Sequence, residues 1–194
     1  MPYDAQTEAS DEDLLALYAR GDRLAARTLT LRLSPRVFGF AQRMLGDRAE
    51  AEDVTQEAML RLWRIAADWR NGEARVTTWL YRVTANLCTD RLRRRRPVGL
   101  DTIAEPEDGQ PGVLSDLIAA DRALALEQAL ALLPERQRQA VVLRHLDGLT
   151  NPEIADVMEI GVEAVESLTA RGKRALTAAL AGRREELGYG DGKD

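Results

Sequence analysis

Three observations predict an all-α protein of two small helical domains joined by a flexible acidic linker. Apolar residues recur at steps of three or four along most of the chain, with no strand-like alternation. Aromatics make up only 5% of the residues and Ala, Leu and Arg dominate, a composition that favours helices because Ala and unbranched side chains lose little rotamer freedom there. Residues 97–120 break the pattern with three of the seven prolines, three glycines, five acids and no Lys or Arg, which is linker chemistry. The flanking blocks, 1–96 and 121–194, are the expected domains.

In the first domain, Ser10 and Asp13 resemble a capping box ahead of Leu14, Leu15, Leu17 and Tyr18. Gly21-Asp22 punctuates and starts a second helix. Ser34-Pro35 predicts a break and restart, with Ser as N-cap and Pro in the first turn. The restart carries Val37, Phe38, Phe40, Ala41, Met44 and Leu45 and stops at Gly46. Asp47 caps the next helix, where Ala51, Val54, Ala58, Leu62 and Ile65 form one apolar stripe. Asp53, Gln56, Glu57 and Arg61 share another face. Asn71-Gly72 marks a turn. Thr77 is the expected cap of a helix cored by Leu80, Val83 and Leu87, which Pro97 ends.

The second domain opens with an Ala/Leu helix running to Leu133. Pro134 starts the next helix and Gly148 closes it. Thr150, Pro152 and Glu153 form a strong start signal for a short helix that buries Ile154, Ala155, Val157 and Met158. A turn through Gly161 leads into the final helix.

Composition excludes several functions. One Cys and one His rule out an internal disulfide and argue against a zinc site or a Ser-His-acid or Cys-His catalytic set. No phosphate-binding glycine loop follows a strand, so neither an enzyme nor a cofactor is expected. The acidic N-terminus lacks the apolar run of a signal peptide, and no segment approaches the ~20 apolar residues of a membrane span. No membrane insertion is expected, and the cytoplasm is the default. The net charge of −5 is unusual for a protein that grips DNA unaided. It is unevenly spread: residues 1–96 carry +3, 97–120 carry −5 and 121–194 carry −3.

Three constellations carry the functional signal. The short helices on either side of Gly161 have the small and apolar positions of a helix-turn-helix, although an ordinary helical hairpin fits as well. Glu163, Ala164, Glu166, Ser167 and Ala170 would face outward, with Arg171, Lys173 and Arg174 beyond them to meet phosphates. Arg91 and Arg93–Arg96 crowd one helix end. They either complement the helix dipole or await an anionic partner. Upstream, Trp69, Trp79, Tyr81, Arg82 and Asn86 surround a turn and suit stacking on unpaired bases, with Trp79 as plain core the alternative. The face of Asp53, Gln56 and Glu57 reads by itself as solvated surface. A free-standing helix-turn-helix regulator and a helical adaptor remain open on these residues alone.

Taken in order, the segments resemble the extracytoplasmic-function (ECF) sigma factors of bacterial RNA polymerase, over about residues 11–181. AEAEDVTQEAMLRLWR, residues 49–64, is similar to their region 2.2 signature. The resemblance implies that Asp53, Gln56, Glu57 and Arg61 dock on core RNA polymerase. TTWLYRVTANLCTDRLRRRRP, residues 77–97, resembles regions 2.3 and 2.4. Together with the loop before it, this segment implies −10 promoter contacts at Asn71, Gly72, Arg75, Trp79, Arg82 and Asn86. LPERQRQAVVLRHLDGLTNPEIADVM, residues 133–158, resembles the start of region 4, which binds the −35 element and the polymerase flap. The −35 candidates are Glu163, Ala164, Ser167, Arg171, Lys173 and Arg174.

This recognition helix departs from the common family pattern. Ala164 replaces Thr, Glu166 a basic residue and Leu168 an Arg, and Gly172 falls inside the helix at a cost of about 1 kcal/mol relative to Ala. The resemblance also implies a partner anti-sigma factor, sometimes a zinc protein. Residues 97–120 reach at most about 80 Å when extended, comparable to the roughly 85 Å of duplex between the two promoter elements.

Overall fold

The structure is a computed structural model that describes residues 9–70, 72, 74–95 and 114–181, with side chains described from 121 onward in the last stretch. Among the described residues no strand forms. The first domain holds α1 (Asp11–Ala19), α2 (Arg23–Leu45), α3 (Arg48–Ile65), a single 3₁₀ turn (Ala66–Asp68) and α4 (Val76–Arg95). The second holds α5 (Leu114–Ala131), α6 (Glu135–Val141) continuing into a π-helical turn (Val142–Leu146), α7 (Asn151–Met158) and α8 (Val162–Ala181).

Four of the eight described α-helices are capped as the sequence predicts, because short oxygen-bearing side chains satisfy otherwise orphaned N–H groups. Ser10 accepts from Asp13 N–H, Asp22 from Leu24 and Ala25, and Asp47 from Glu50. Thr150 and Glu153 form a complete capping box. Gly46 closes α2 in the left-handed region at φ 66°, where a side chain would be strained.

Three expectations need correction. Ser34-Pro35 does not break the chain: α2 runs unbroken through Pro35. Proline forfeits only its bond to the Leu31 carbonyl. Pro35 is exposed and Leu31 is 64% exposed, so the loss falls on the solvent side. Leu29, Leu33, Val37 and Phe40 carry the buried stripe straight past it. Thr77 does not start α4 either. The helix begins at Val76, whose N–H is taken by the Glu12 carboxylate of α1 at 2.9 Å, a cap supplied from 64 residues away. Finally, α5 begins at Leu114, so the end of the expected linker is helical. The remainder of that linker, residues 97–113, lies outside the described residues, as do Arg96 and the helix end expected at Pro97.

The first domain buries Leu14, Leu29, Leu33, Leu62 and Leu80 in one apolar cluster. A second cluster is continuous across both domains: Phe40, Met44, Val54, Tyr81 and Cys88 join Leu130, Leu143, Ile154 and Val165. The domains are therefore packed face to face, with α7 lying against α4. Polar contacts line the same seam. Arg138 donates to the Met44 carbonyl at 2.8 Å and Thr89 to Glu135 at 2.6 Å, while Arg43 approaches Asp147 at 3.8 Å.

Candidate nucleic-acid interface

On α3, Asp53, Gln56 and Arg61 are exposed and Glu57 is half-buried, so the expected acidic face exists. Its acids are held by arginines: Arg61 bonds Glu57 at 2.8 Å and Arg91 of α4 lies 3.5 Å from Asp53. Gln56 also borders an apolar cleft between α2 and α3, lined by Pro35, Phe38, Met59, Leu60 and Trp63. Sequence reasoning missed that cleft. Its signal was present in Leu60 and Trp63, which follow Gln56 at helical spacing.

On α4, Arg75, Trp79, Arg82 and Asn86 fall at steps of four, three and four, hence along one stripe beginning just before the helix. Gly72 sits in the preceding turn at φ 98°; Asn71 lies outside the described residues. Trp79 is half-buried and meets Trp69 edge-on, with ring centroids 6.1 Å apart. It belongs partly to the core and partly to the surface. Arg75 and Arg82 are both engaged by the second domain: Arg75 with Glu153 at 3.0 Å and Arg82 with Glu159 at 3.6 Å.

The arginine-rich end of α4 is less free than its sequence suggests. Arg91 pairs with Asp53 and Arg93 with Asp90. Arg95 binds Asp47, Glu50 and the Leu45 carbonyl. Much of this charge pins α4 to the start of α3 instead of waiting for an anionic partner.

On α8, Glu163, Ala164, Arg171 and Arg174 are exposed and Ser167 is half-buried. Positions 163, 167, 171 and 174 share a face, where Arg171 donates to Ser167 at 2.6 Å. Lys173 lies off that face, near enough to His145 to help lower its pKa. Gly172 is buried, and a Cβ there would stand 2.5 Å from Val141 Cγ2 and 3.1 Å from the Gln137 carbonyl. Glycine is required for α8 to cross α6 this closely.

Residues 29–98 match the family model described as Sigma-70 region 2, and residues 123–176 match Sigma-70, region 4. The chain is 34% identical to the RNA polymerase sigma-H factor of Pseudomonas aeruginosa over 90% of this chain and 95% of that protein. It is 30% identical to the ECF RNA polymerase sigma factor SigW of Bacillus subtilis, over 83% and 91%. It is 32% identical to the ECF RNA polymerase sigma-E factor of Escherichia coli, over 87% and 93%. The chain belongs to the ECF sigma factors.

The fold of this ECF sigma factor agrees. CnrH, solved in complex with the cytosolic domain of CnrY, superposes with a TM-score of 0.69 at 25% identity, covering 90% of this chain and 99% of that one. RpoE of Bartonella quintana, solved with the anti-sigma factor NepR, gives 0.65 at 20% identity over 80% and 96%, a likeness of fold.

The electrostatics separate committed from poised groups in this sigma factor. The Arg61 hydrogen bond holds Glu57 below the usual carboxylate range. Hydrogen bonds from Thr150, with Arg75 adding to them, do the same for Glu153. Burial pushes the Cys88 thiol and the Tyr81 hydroxyl up to about 12, so Cys88 is an inert core residue. Burial also raises Asp147 to about 6, against the pull of Arg43 and Arg36. Among the described residues no cluster of His, Cys, Asp or Glu is arranged to hold a metal ion, and no helix is long and apolar enough to cross a membrane.

Proposed function

We propose that residues 1–96 bind core RNA polymerase and open the −10 element, and that residues 121–194 read the −35 element, with 97–120 as the tether. Asp53, Gln56, Glu57 and Arg61 form the polymerase-docking face. Gly72, Arg75, Trp79, Arg82 and Asn86, with Asn71, hold the non-template strand. Glu163, Ala164 and Ser167 meet the −35 duplex, while Arg171 and Arg174 meet its phosphates from the same face and Lys173 from that face's flank. The protein performs no chemistry of its own, acts in the cytoplasm, and is controlled by an anti-sigma factor that covers its polymerase-binding faces. Any zinc in that complex would belong to the partner.

The observation that carries this reading is the single stripe of Arg75, Trp79, Arg82 and Asn86 on α4, one helix away from the exposed acidic face of α3. Cations and an aromatic spaced along one helix suit a single strand, whose phosphates and bases need both. The acidic tether accounts for most of the net charge and suits passage through a cleft built for nucleic acid. Co-elution of the full chain with purified core RNA polymerase tests the reading, and a chain that elutes apart from core at micromolar concentrations rejects it.

A further inference from the structure

The reading end of α8 is poor in hydrogen-bond donors. Its outward stripe begins with Glu163, Ser167 and Ala170, at steps of four and three, with Ala164 and Glu166 at the two edges. The alanines are too short to hydrogen-bond a base. Ser167 is half-buried and already accepts from Arg171 at 2.6 Å. Glu166 stands at the edge nearest α7, where the Asn151 amide donates to it at 3.4 Å. Glu163 differs from all of these: it is exposed and makes no hydrogen bond or ion pair with any described residue.

The cations of α8 lie further along. Arg171, Lys173 and Arg174 are about 12–16 Å down the axis from Glu163, comparable with the roughly 12 Å width of a major groove. Phosphates held by these cations set the N-terminal half of α8 against base edges. A carboxylate placed there can only accept. Guanine offers it O6 and N7 and thymine offers O4, all acceptors, while adenine sets the N7 acceptor beside its N6 amino group. Cytosine alone presents an amino donor with no acceptor of its own in the groove. Opposite any other base the carboxylate loses water without a full replacement for it.

We propose that Glu163 is a specificity-determining residue that selects a cytosine in the −35 element by accepting from its N4 amino group. The inference rests on the assignment of α8 to the −35 duplex made above, and goes beyond it in naming the base and the bond. An acid in the first turn also complements the helix dipole, but that role is indifferent to the base opposite.

The test uses holoenzyme assembled from the full chain and purified core RNA polymerase. It transcribes a library randomised over both promoter elements, each template carrying a barcode that is read in its transcript. With the wild-type chain, one −35 position is expected to favour cytosine about tenfold over the other bases. Glu163→Gln is expected to move that position to adenine, because Gln pairs bidentately with adenine N6 and N7. Glu163→Ala is expected to level that position and leave the others as they were. Glu163 is exposed and unpaired among the described residues, so neither variant threatens the fold, and circular dichroism checks this. Three outcomes overturn the proposal: preferences shared by the wild type and both variants at every −35 position, a Glu163-dependent position that favours another base, or a weakening spread evenly over all positions. A wild-type library enriched at the −10 element but at no −35 position rejects the assignment of α8 as well, which tells the two failures apart.

Discussion

Gly172 of α8 and Val141 of α6 touch at a point where no Cβ fits: an added methyl at 172 would stand 2.5 Å from Val141 Cγ2. Helix propensity alone makes Gly172→Ala stabilising by about 1 kcal/mol. The crossing reverses the sign, because overpacking costs about 1–3 kcal/mol. Gly172→Ala is therefore expected to lower the denaturant midpoint, and Val141→Ala in the same background to recover part of the loss. A more stable single variant would show that the crossing relaxes freely.

Charge reversal of Asp53 and Glu57 is expected to weaken binding to core RNA polymerase about tenfold or more while leaving the fold intact. Their partners Arg91 and Arg61 are surface residues, and exposed pairs contribute about 1 kcal/mol or less. Circular dichroism checks the fold and a titration with core checks the affinity. Unchanged affinity removes these residues from the interface.

Trp79 is half-buried against Trp69, so Trp79→Ala is expected to cost about 2 kcal/mol of stability and, in the folded fraction, to impair promoter opening more than core binding. Permanganate reactivity of the −10 thymines measures opening. A variant that stays folded and opens the promoter normally makes Trp79 core alone.

Asp147 has its carboxyl raised from 3.8 to about 6 by burial, and faces Arg36, Arg43 and Tyr81, with Asp11, Glu12, Arg75 and Glu153 lining the same cavity. Between those two pH values the folded state binds more protons than the unfolded one, so this group's contribution to stability falls as pH rises through the window. Measured by denaturation at pH 4.5 and 7, Asp147→Asn is expected to gain on the wild type with rising pH, by at most on the order of 2 kcal/mol. A difference independent of pH contradicts the shift.

What the sequence discloses follows from locality. Caps such as Asp22, Asp47 and Thr150 announce themselves because donor and acceptor lie within three residues. The acidic face of α3 and the stripe on α4 are legible because helical periodicity orders them. The cap that Glu12 gives Val76 is invisible, since its partners are joined only by folding. So is the seam: nothing local marks Glu153 or Glu159 as partners of Arg75 and Arg82. Pro35 misleads for a related reason, because tertiary burial on both sides of it outweighs one missing hydrogen bond.

Run-off transcription with purified core RNA polymerase, with and without this chain, on a promoter library tests the central claim most directly. The account predicts discrete promoter-specific transcripts that require the chain and are lost with the Asp53 and Glu57 reversal. The same transcript pattern with and without the chain would contradict it.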